Sequence, residues 1–201
     1  MYIKQNKLLL ATNNSGKLRE MSVLLSDLGL EITTPLAQGI HLEVEESGQT
    51  FRENAILKAE AFSSLSGLTS LSDDSGLEVD VLDGEPGVMS ARYAGPNASD
   101  QDKVDYLLDK LRGVPFDRRN ARFRCVMALC SPGREVVIFE GVCEGIISEE
   151  PKGPGGFGYD PIFYIPALGA NMAELSIESK NSISHRGVAS MKVKEYLASI
   201  V

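Results

Sequence analysis

The sequence predicts an α/β fold built on a mixed β-sheet flanked by helices. Two observations carry this reading. Short apolar strands are interleaved with segments of helical periodicity, and one long β-hairpin interrupts that alternation. The chain has 201 residues, 43% of them apolar and 24% charged, which is enough for one sizeable core without disulfide staples. It shows no repeat, low-complexity tract or Ser/Gly linker, so a single domain over residues 1–201 is expected.

The elements follow in chain order. Lys7-Leu8-Leu9-Leu10-Ala11-Thr12 reads as a short buried strand. Leu18, Met21, Leu25 and Leu28 then recur at helical spacing, and Gly29 supplies a stop. Thr50-Phe51-Arg52-Glu53 matches a capping box, after which Phe51, Ala55, Ala59 and Phe62 form an apolar stripe. Leu68 to Ser72 reads as a strand closed by Asp73-Asp74, Ser75-Gly76 as a turn, and Leu77 to Leu82 as a second strand. Residues 99–112 look helical. A hairpin is expected from Ala121 to Cys130 and from Glu135 to Ile147, around Ser131-Pro132-Gly133-Arg134. Pro151 to Pro161 is too irregular for either element, and a last helix opening near Ser184 carries Val193, Leu197 and Ile200 inward.

Charge and cysteine usage exclude several function classes. A net charge of −8 argues against sequence-independent binding to nucleic acid or to anionic membranes, which wants a basic face. No window approaches the ~20 apolar residues of a membrane helix. Met1 to Lys7 leads into an apolar stretch too brief for a secretory signal. Cys125, Cys130 and Cys143 are odd in number and lack CxxC spacing, which points to reduced thiols and a cytoplasmic protein.

Five segments carry candidate chemistry. Asp73-Asp74 places two carboxylates beside a core strand, which is costly without a cation, a hydrogen-bond network or a catalytic need. Were the strand to continue through them, their side chains would take opposite faces. Taken alone, an Asp-Ser-Gly turn bonded to its own backbone explains the pair better. Thr12-Asn13-Asn14-Ser15-Gly16-Lys17 joins a strand to a helix, where backbone N–H groups and Lys17 suit an anion; a capped helix start is the plainer account. It is no Walker A loop, since Ala11 and Leu18 stand where Gly and Ser/Thr belong. Gly153 to Pro161 satisfies GxGxxG formally, yet no strand leads directly into it and Pro161 blocks a helix directly after it. Phe157 there suits stacking on a base and Asp160 suits a base N–H, unless the loop is a surface turn with Phe157 in the core. Ser184-His185-Arg186-Gly187, with Lys180 before it, offers donors to a carbonyl or phosphate, against the alternative of a solvated helix end. Glu45-Glu46, ahead of the helix that carries Lys58, could share a hard cation with the aspartates or be a solvated acidic loop. Together these parts suit a nucleoside triphosphate with Mg²⁺, a cation commonly held by one or two carboxylates plus substrate phosphates.

With these motifs in order along the whole chain, the sequence resembles the inosine triphosphate pyrophosphatase family, which hydrolyses ITP, dITP and XTP to the monophosphate and pyrophosphate. The resemblance also covers Thr50 through Ala59, Asp73 through Asp80, Pro86-Gly87-Val88 and Ser90-Ala91-Arg92-Tyr93. It implies an elongated two-lobed α/β domain with the active site in the cleft between lobes, Mg²⁺ as cofactor, and a homodimer. It implies Asp74 as proton acceptor and metal ligand, and Glu45 as the other metal ligand. Thr12, Asn13, Asn14, Ser15, Gly16 and Lys17 correspond to the phosphate loop, Ser75 to a substrate contact, and Lys58 and Lys180 to lysines facing the triphosphate. Phe157, Gly158, Tyr159 and Asp160 correspond to the base-stacking loop, and His185 and Arg186 to the pair that reads the base. Asp73 is left with a supporting role.

On this reading a water deprotonated by Asp74 attacks the α-phosphorus. Donors from His185 or Arg186 aimed at a 6-keto oxygen would meet the amino group of adenine and so reject ATP. The rivals are a purine-nucleotide sensor without hydrolysis, which would not need the poised carboxylates, and a pyrophosphatase for other modified nucleotides.

Overall fold

The computed structural model describes residues 6–200, with side-chain surroundings for residues 6–199. The strands are β1 (Lys7–Leu10), β2 (Glu31–Thr33), β3 (Thr69–Val79), β4 (Asn120–Cys130), β5 (Val137–Ile147), β6 (Phe163–Ile165) and β7 (Ala170–Asn171). The helices are α1 (Ser15–Leu24), α2 (Phe51–Ser66), α3 (Asp100–Lys110), α4 (Ile177–Ile183) and α5 (His185–Ile200). The described residues fall into two compact units. One lies within Met1–Asp74, Cys125–Gly141 and Arg186–Val201, the other within Ser75–Arg124 and Val142–His185.

In the first unit the strand order is β2-β1-β3-β4-β5, with β1 parallel to both β2 and β3. Leu8 pairs with Ile32 on one side and Thr69 on the other. Alternation sends Leu8 and Leu10 to one face, where they pack with Met21 and Leu25 from the α1 end and with Ala189, Val193 and Leu197 of α5. Leu9 and Ala11 take the other face, against Phe62 of α2 and Leu68. A strand covered on both faces is apolar throughout, which is why β1 reads as an unbroken run. α2 opens with the expected capping box: Thr50 Oγ1 accepts from Glu53 N, and the Glu53 carboxylate accepts from Thr50 N.

In the second unit the order is β3-β4-β5-β6-β7, with β5–β6 and β6–β7 antiparallel. Leu77, Val79, Val104, Leu107, Leu111, Phe123, Ile147 and Phe163 form its core. Gly145 allows a close approach on β5: a Cβ there would lie 2.6 Å from the Phe163 ring. With parallel pairs in one unit and antiparallel pairs in the other, the sheet is mixed, as expected.

Two elements differ from expectation. β3 runs unbroken through Asp73, Asp74 and Ser75-Gly76, with no turn there, and the chain first bends in a 3₁₀ turn at Asp80–Leu82. The ladder persists because cations neutralise both aspartates, as described below, so the extended backbone carries no uncompensated buried charge. α4 is a separate seven-residue helix that puts Lys180 on ordered backbone, capped by Ser176. Its seven residues are too few to show periodicity in the sequence. α5 buries Val193 and Leu197 as expected, whereas the side chain of Ile200 lies outside the described residues. No described helix is long and apolar enough to cross a membrane.

Candidate active site

Because β3 continues, its two aspartates point to opposite faces. Asp73 has no exposed surface. Its Oδ2 accepts from Arg186 Nε at 2.9 Å and from Cys125 Sγ at 3.0 Å, and its Oδ1 pairs with Lys17. Arg186, 2% exposed, also donates through Nη1 to Glu20 Oε2 at 2.6 Å. Burial opposes ionisation of Asp73, but the Arg186 and Lys17 charges outweigh it and hold the carboxyl well below its ordinary value. The same buried anion, added to burial, pushes the Cys125 thiol well up, so Cys125 stays a neutral donor.

Asp74 takes the other face, that of α2. Its Oδ1 accepts from Lys58 Nζ at 2.8 Å, and Lys58 Nζ also donates to Glu46 Oε1 at 2.6 Å. One ammonium therefore joins two carboxylates. Burial lifts the Asp74 carboxyl above its ordinary value, despite the pull of Lys58 and Lys17, and the Glu46 charge adds to the rise. Burial works to lower the Lys58 ammonium, but Asp74 and Glu46 prevail and it is held protonated above its usual range. An aspartate shifted upward is a stronger base than an exposed one.

The segment carrying Glu46 is tied to the start of α2. Asn54 Oδ1 accepts from Gly48 N at 2.8 Å, and Glu53 Oε2 accepts from Gln49 N at 2.7 Å. A Cβ on Gly48 would lie 2.7 Å from Asn54 Oδ1 and from Glu53 Cβ, so only glycine fits. Asn54 stands four residues before Lys58, on the same helical face.

The loop Thr12–Lys17 leads β1 into α1. Asn14 caps the helix by accepting from Lys17 N at 3.0 Å, and Thr12 Oγ1 accepts from Asn14 N at 3.2 Å. Asn13 Nδ2 donates to Leu42 O at 3.4 Å. Asn13, Asn14 and Ser15 are exposed and Gly16 is half-buried. First-turn N–H groups have no partner within a helix, so this end presents donors and positive charge.

In the second unit, Asp160 Oδ2 accepts from Phe157 N at 2.9 Å and from Lys180 Nζ at 2.6 Å. Lys180 Nζ lies 5.1 Å from the centroid of the half-buried Phe157 ring. Tyr159 is a core residue whose hydroxyl donates to Ser90 O at 2.9 Å. Gly158 takes a φ of +62°. His185, at the start of α5, is buried with its ring stacked on Phe123 at 4.7 Å.

Comparison with known proteins places the chain. The Ham1 family model matches residues 8–196. The chain belongs to the Ham1 family. A Methylococcus capsulatus relative named dITP/XTP pyrophosphatase is 54% identical over 187 residues, 92% of each chain. One of that name from Geobacter sulfurreducens is 49% identical over 191 residues, 95% of this chain and 96% of the relative. Among solved structures, the Staphylococcus aureus Ham1 protein superposes with a TM-score of 0.87 at 42% identity, covering 97% of this chain and all of the other. A Coxiella burnetii HAM1 protein gives 0.88 at 42% identity, covering 96% and 98%.

Within this Ham1 chain, the expected site residues separate into three groups. Asp74 and Lys58 meet in the first unit; Phe157, Asp160 and Lys180 meet in the second. Arg186 sits with Asp73 and Glu20 rather than at a solvated helix end. Lys180 is tied into the Phe157–Asp160 loop. Ser75 follows Asp74 on β3, half-buried. Glu45 is exposed, and the carboxylate brought to Lys58 and Asp74 is its neighbour Glu46. Sequence reasoning missed Asn54 and Glu20, and within the Glu45-Glu46 pair it singled out Glu45.

The donor set suits a hard divalent cation. Among the described residues no three His, Cys, Asp or Glu side chains gather as a preformed cage. Asp74 and Glu46 are hard oxygen donors of the kind Mg²⁺ takes along with phosphates and water, and here the Lys58 ammonium joins them.

Proposed function

We propose that this protein hydrolyses ITP, dITP and XTP to the nucleoside monophosphate and pyrophosphate, and so clears these non-standard purines from the nucleotide pool. The observation that carries this reading is the Asp74–Lys58–Glu46 cluster, a buried carboxylate raised in basicity and held against cationic and acidic partners. Whole-length identity with relatives named dITP/XTP pyrophosphatases supports the substrate class.

In the reaction, Asp74 accepts a proton from the attacking water. The water oxygen bonds to the α-phosphorus, the bond from that phosphorus to the α,β-bridging oxygen breaks, and pyrophosphate leaves with the electron pair. Lys58 orients Asp74 and adds positive charge, and Lys17 with the Thr12–Gly16 loop receives phosphate oxygens. Mg²⁺ would be held by Asp74 and by Glu45 or Glu46, and would supply acidification of the water and neutralisation of the leaving group. Phe157 stacks on the base and Gly158 to Asp160 shape that loop; with the Arg186 guanidinium committed to Asp73 and Glu20, His185 of the expected pair reads the 6-keto edge. The three free cysteines are buried, which suits the cytoplasm, and a homodimer is the expected assembly.

The test is pyrophosphate release from ITP, dITP, XTP, dGTP, ATP and dTTP with Mg²⁺. Preference for ITP, dITP and XTP is expected. Release from none of them, or preference for dTTP, contradicts the reading.

A further inference from the structure

Asp100 is the first residue of α3, and its side chain is half exposed. The helix does not need it as a cap. Ser99 is the capping residue and accepts from Asp102 N at 3.2 Å, while Asp102 Oδ2 accepts from Ser99 N at 2.8 Å. Asp100 Oδ1 pairs with Lys103 Nζ at 2.6 Å, an ordinary contact three residues along the helix. Its other oxygen leaves the helix altogether: Oδ2 accepts from Gly158 N at 2.7 Å, 58 residues away.

The partner is at a sensitive position. Gly158 follows Phe157 directly and holds a left-handed φ of +62°, a conformation that glycine adopts without the cost a Cβ would add. On one side, Phe157 N is held by the buried Asp160; on the other, Tyr159 is held by Ser90. Asp100 anchors the same stretch from nearer the solvent, through the Gly158 N–H between them. Burial works against its ionisation, but Lys103 and the Gly158 N–H prevail and hold it ionised, the form that accepts most strongly.

We propose that Asp100 is a positioning residue for substrate, latching the Gly158 N–H so that the Phe157 ring is preset to receive the base. This rests on the reading that the Phe157–Asp160 loop takes the base. Asp100 touches no reacting atom, so its loss weakens capture of the nucleotide and leaves the chemical step alone. An asparagine there keeps an acceptor oxygen for Gly158 and discards the charge paired to Lys103.

The experiment is steady-state kinetics on the full chain with ITP and Mg²⁺, comparing wild type with Asp100→Ala, Asp100→Asn and Phe157→Ala. Inorganic tripolyphosphate, which has no base, serves as a competing inhibitor. Asp100→Ala is expected to raise KM about five- to tenfold, the worth of one hydrogen bond. Its kcat should change less than about twofold, tripolyphosphate inhibition should be unchanged, and Asp100→Asn should return KM to near the wild-type value. If Phe157→Ala raises KM and Asp100→Ala does not, the latch is overturned and base stacking stands. If neither raises KM, the base-loop reading falls and takes the latch with it. An Asp100→Asn variant as impaired as Asp100→Ala, or tripolyphosphate inhibition weakened in step with KM, also overturns the latch.

Discussion

Asp73 and Asp74 are neighbours on β3, yet they belong to separate ion networks on opposite faces of the strand. Asp73 is closed in by Arg186, Lys17 and Cys125, and Asp74 shares Lys58 with Glu46. Burial acts on both carboxyls in the same sense, but the sum differs. Two cations drive Asp73 far down, whereas Asp74 ends above its ordinary value. One aspartate is thereby fixed as a permanent anion, and its neighbour is left able to take up a proton.

The Asp73–Arg186 pair should matter to stability more than to the chemical step. Removing one partner of a buried pair leaves the other uncompensated and costs about 3–5 kcal/mol. Arg186→Met should therefore lower the unfolding free energy obtained from urea titration by that order. A variant within about 1 kcal/mol of wild type would contradict the structural role given to this pair.

Acid should remove the same contribution. Asp73 has a folded pKa below its unfolded value, so its stabilisation is complete above about pH 4 and is lost as pH falls through the depressed folded value. Urea midpoints measured from pH 7 down to pH 3 should thus fall less steeply at the acid end for Asp73→Asn than for wild type. Parallel curves would show that Asp73 does not carry this linkage.

For Asp74 the sign is reversed. It works ionised, and without metal its pKa is raised, so its carboxyl should titrate above the ordinary carboxylate value in Mg²⁺-free protein. Glu46 adds to that rise, so Glu46→Gln should move the titration to lower pH. The check is an NMR titration of the Asp74 carboxyl without Mg²⁺, and a shift to higher pH in the variant would contradict the assignment.

Much of this was legible in the sequence, and the reasons are local. β1 showed itself through an unbroken apolar run because α1, α5 and α2 cover both its faces. The Thr50–Glu53 box is a four-residue hydrogen-bond pattern, readable wherever it occurs. Ser75-Gly76 misled because turn chemistry is a local preference, and here the sheet ladder and charge neutralisation prevail over it. Arg186, Glu46 and Asp100 could not be placed from sequence for a different reason. Their partners lie 113, 12 and 58 residues away, and an ion pair or hydrogen bond made by tertiary packing leaves no spacing to read.

Gly48 offers a test of how the acidic segment is held. Gly48→Ala would force a Cβ against Asn54 and Glu53 and loosen the backbone that carries Glu46 to Lys58. A rise of about threefold or more in the Mg²⁺ concentration needed for half-maximal rate is expected, with the melting temperature lowered by a few degrees at most. An unchanged Mg²⁺ requirement would separate this segment from the metal.

The most direct test of the account is pyrophosphate release from ITP by Asp74→Asn at saturating Mg²⁺. Asparagine keeps the shape and one acceptor oxygen but cannot take the proton, so the rate should fall by about 10²-fold or more. A variant that folds and hydrolyses ITP at the wild-type rate would contradict the central claim that Asp74 is the proton acceptor.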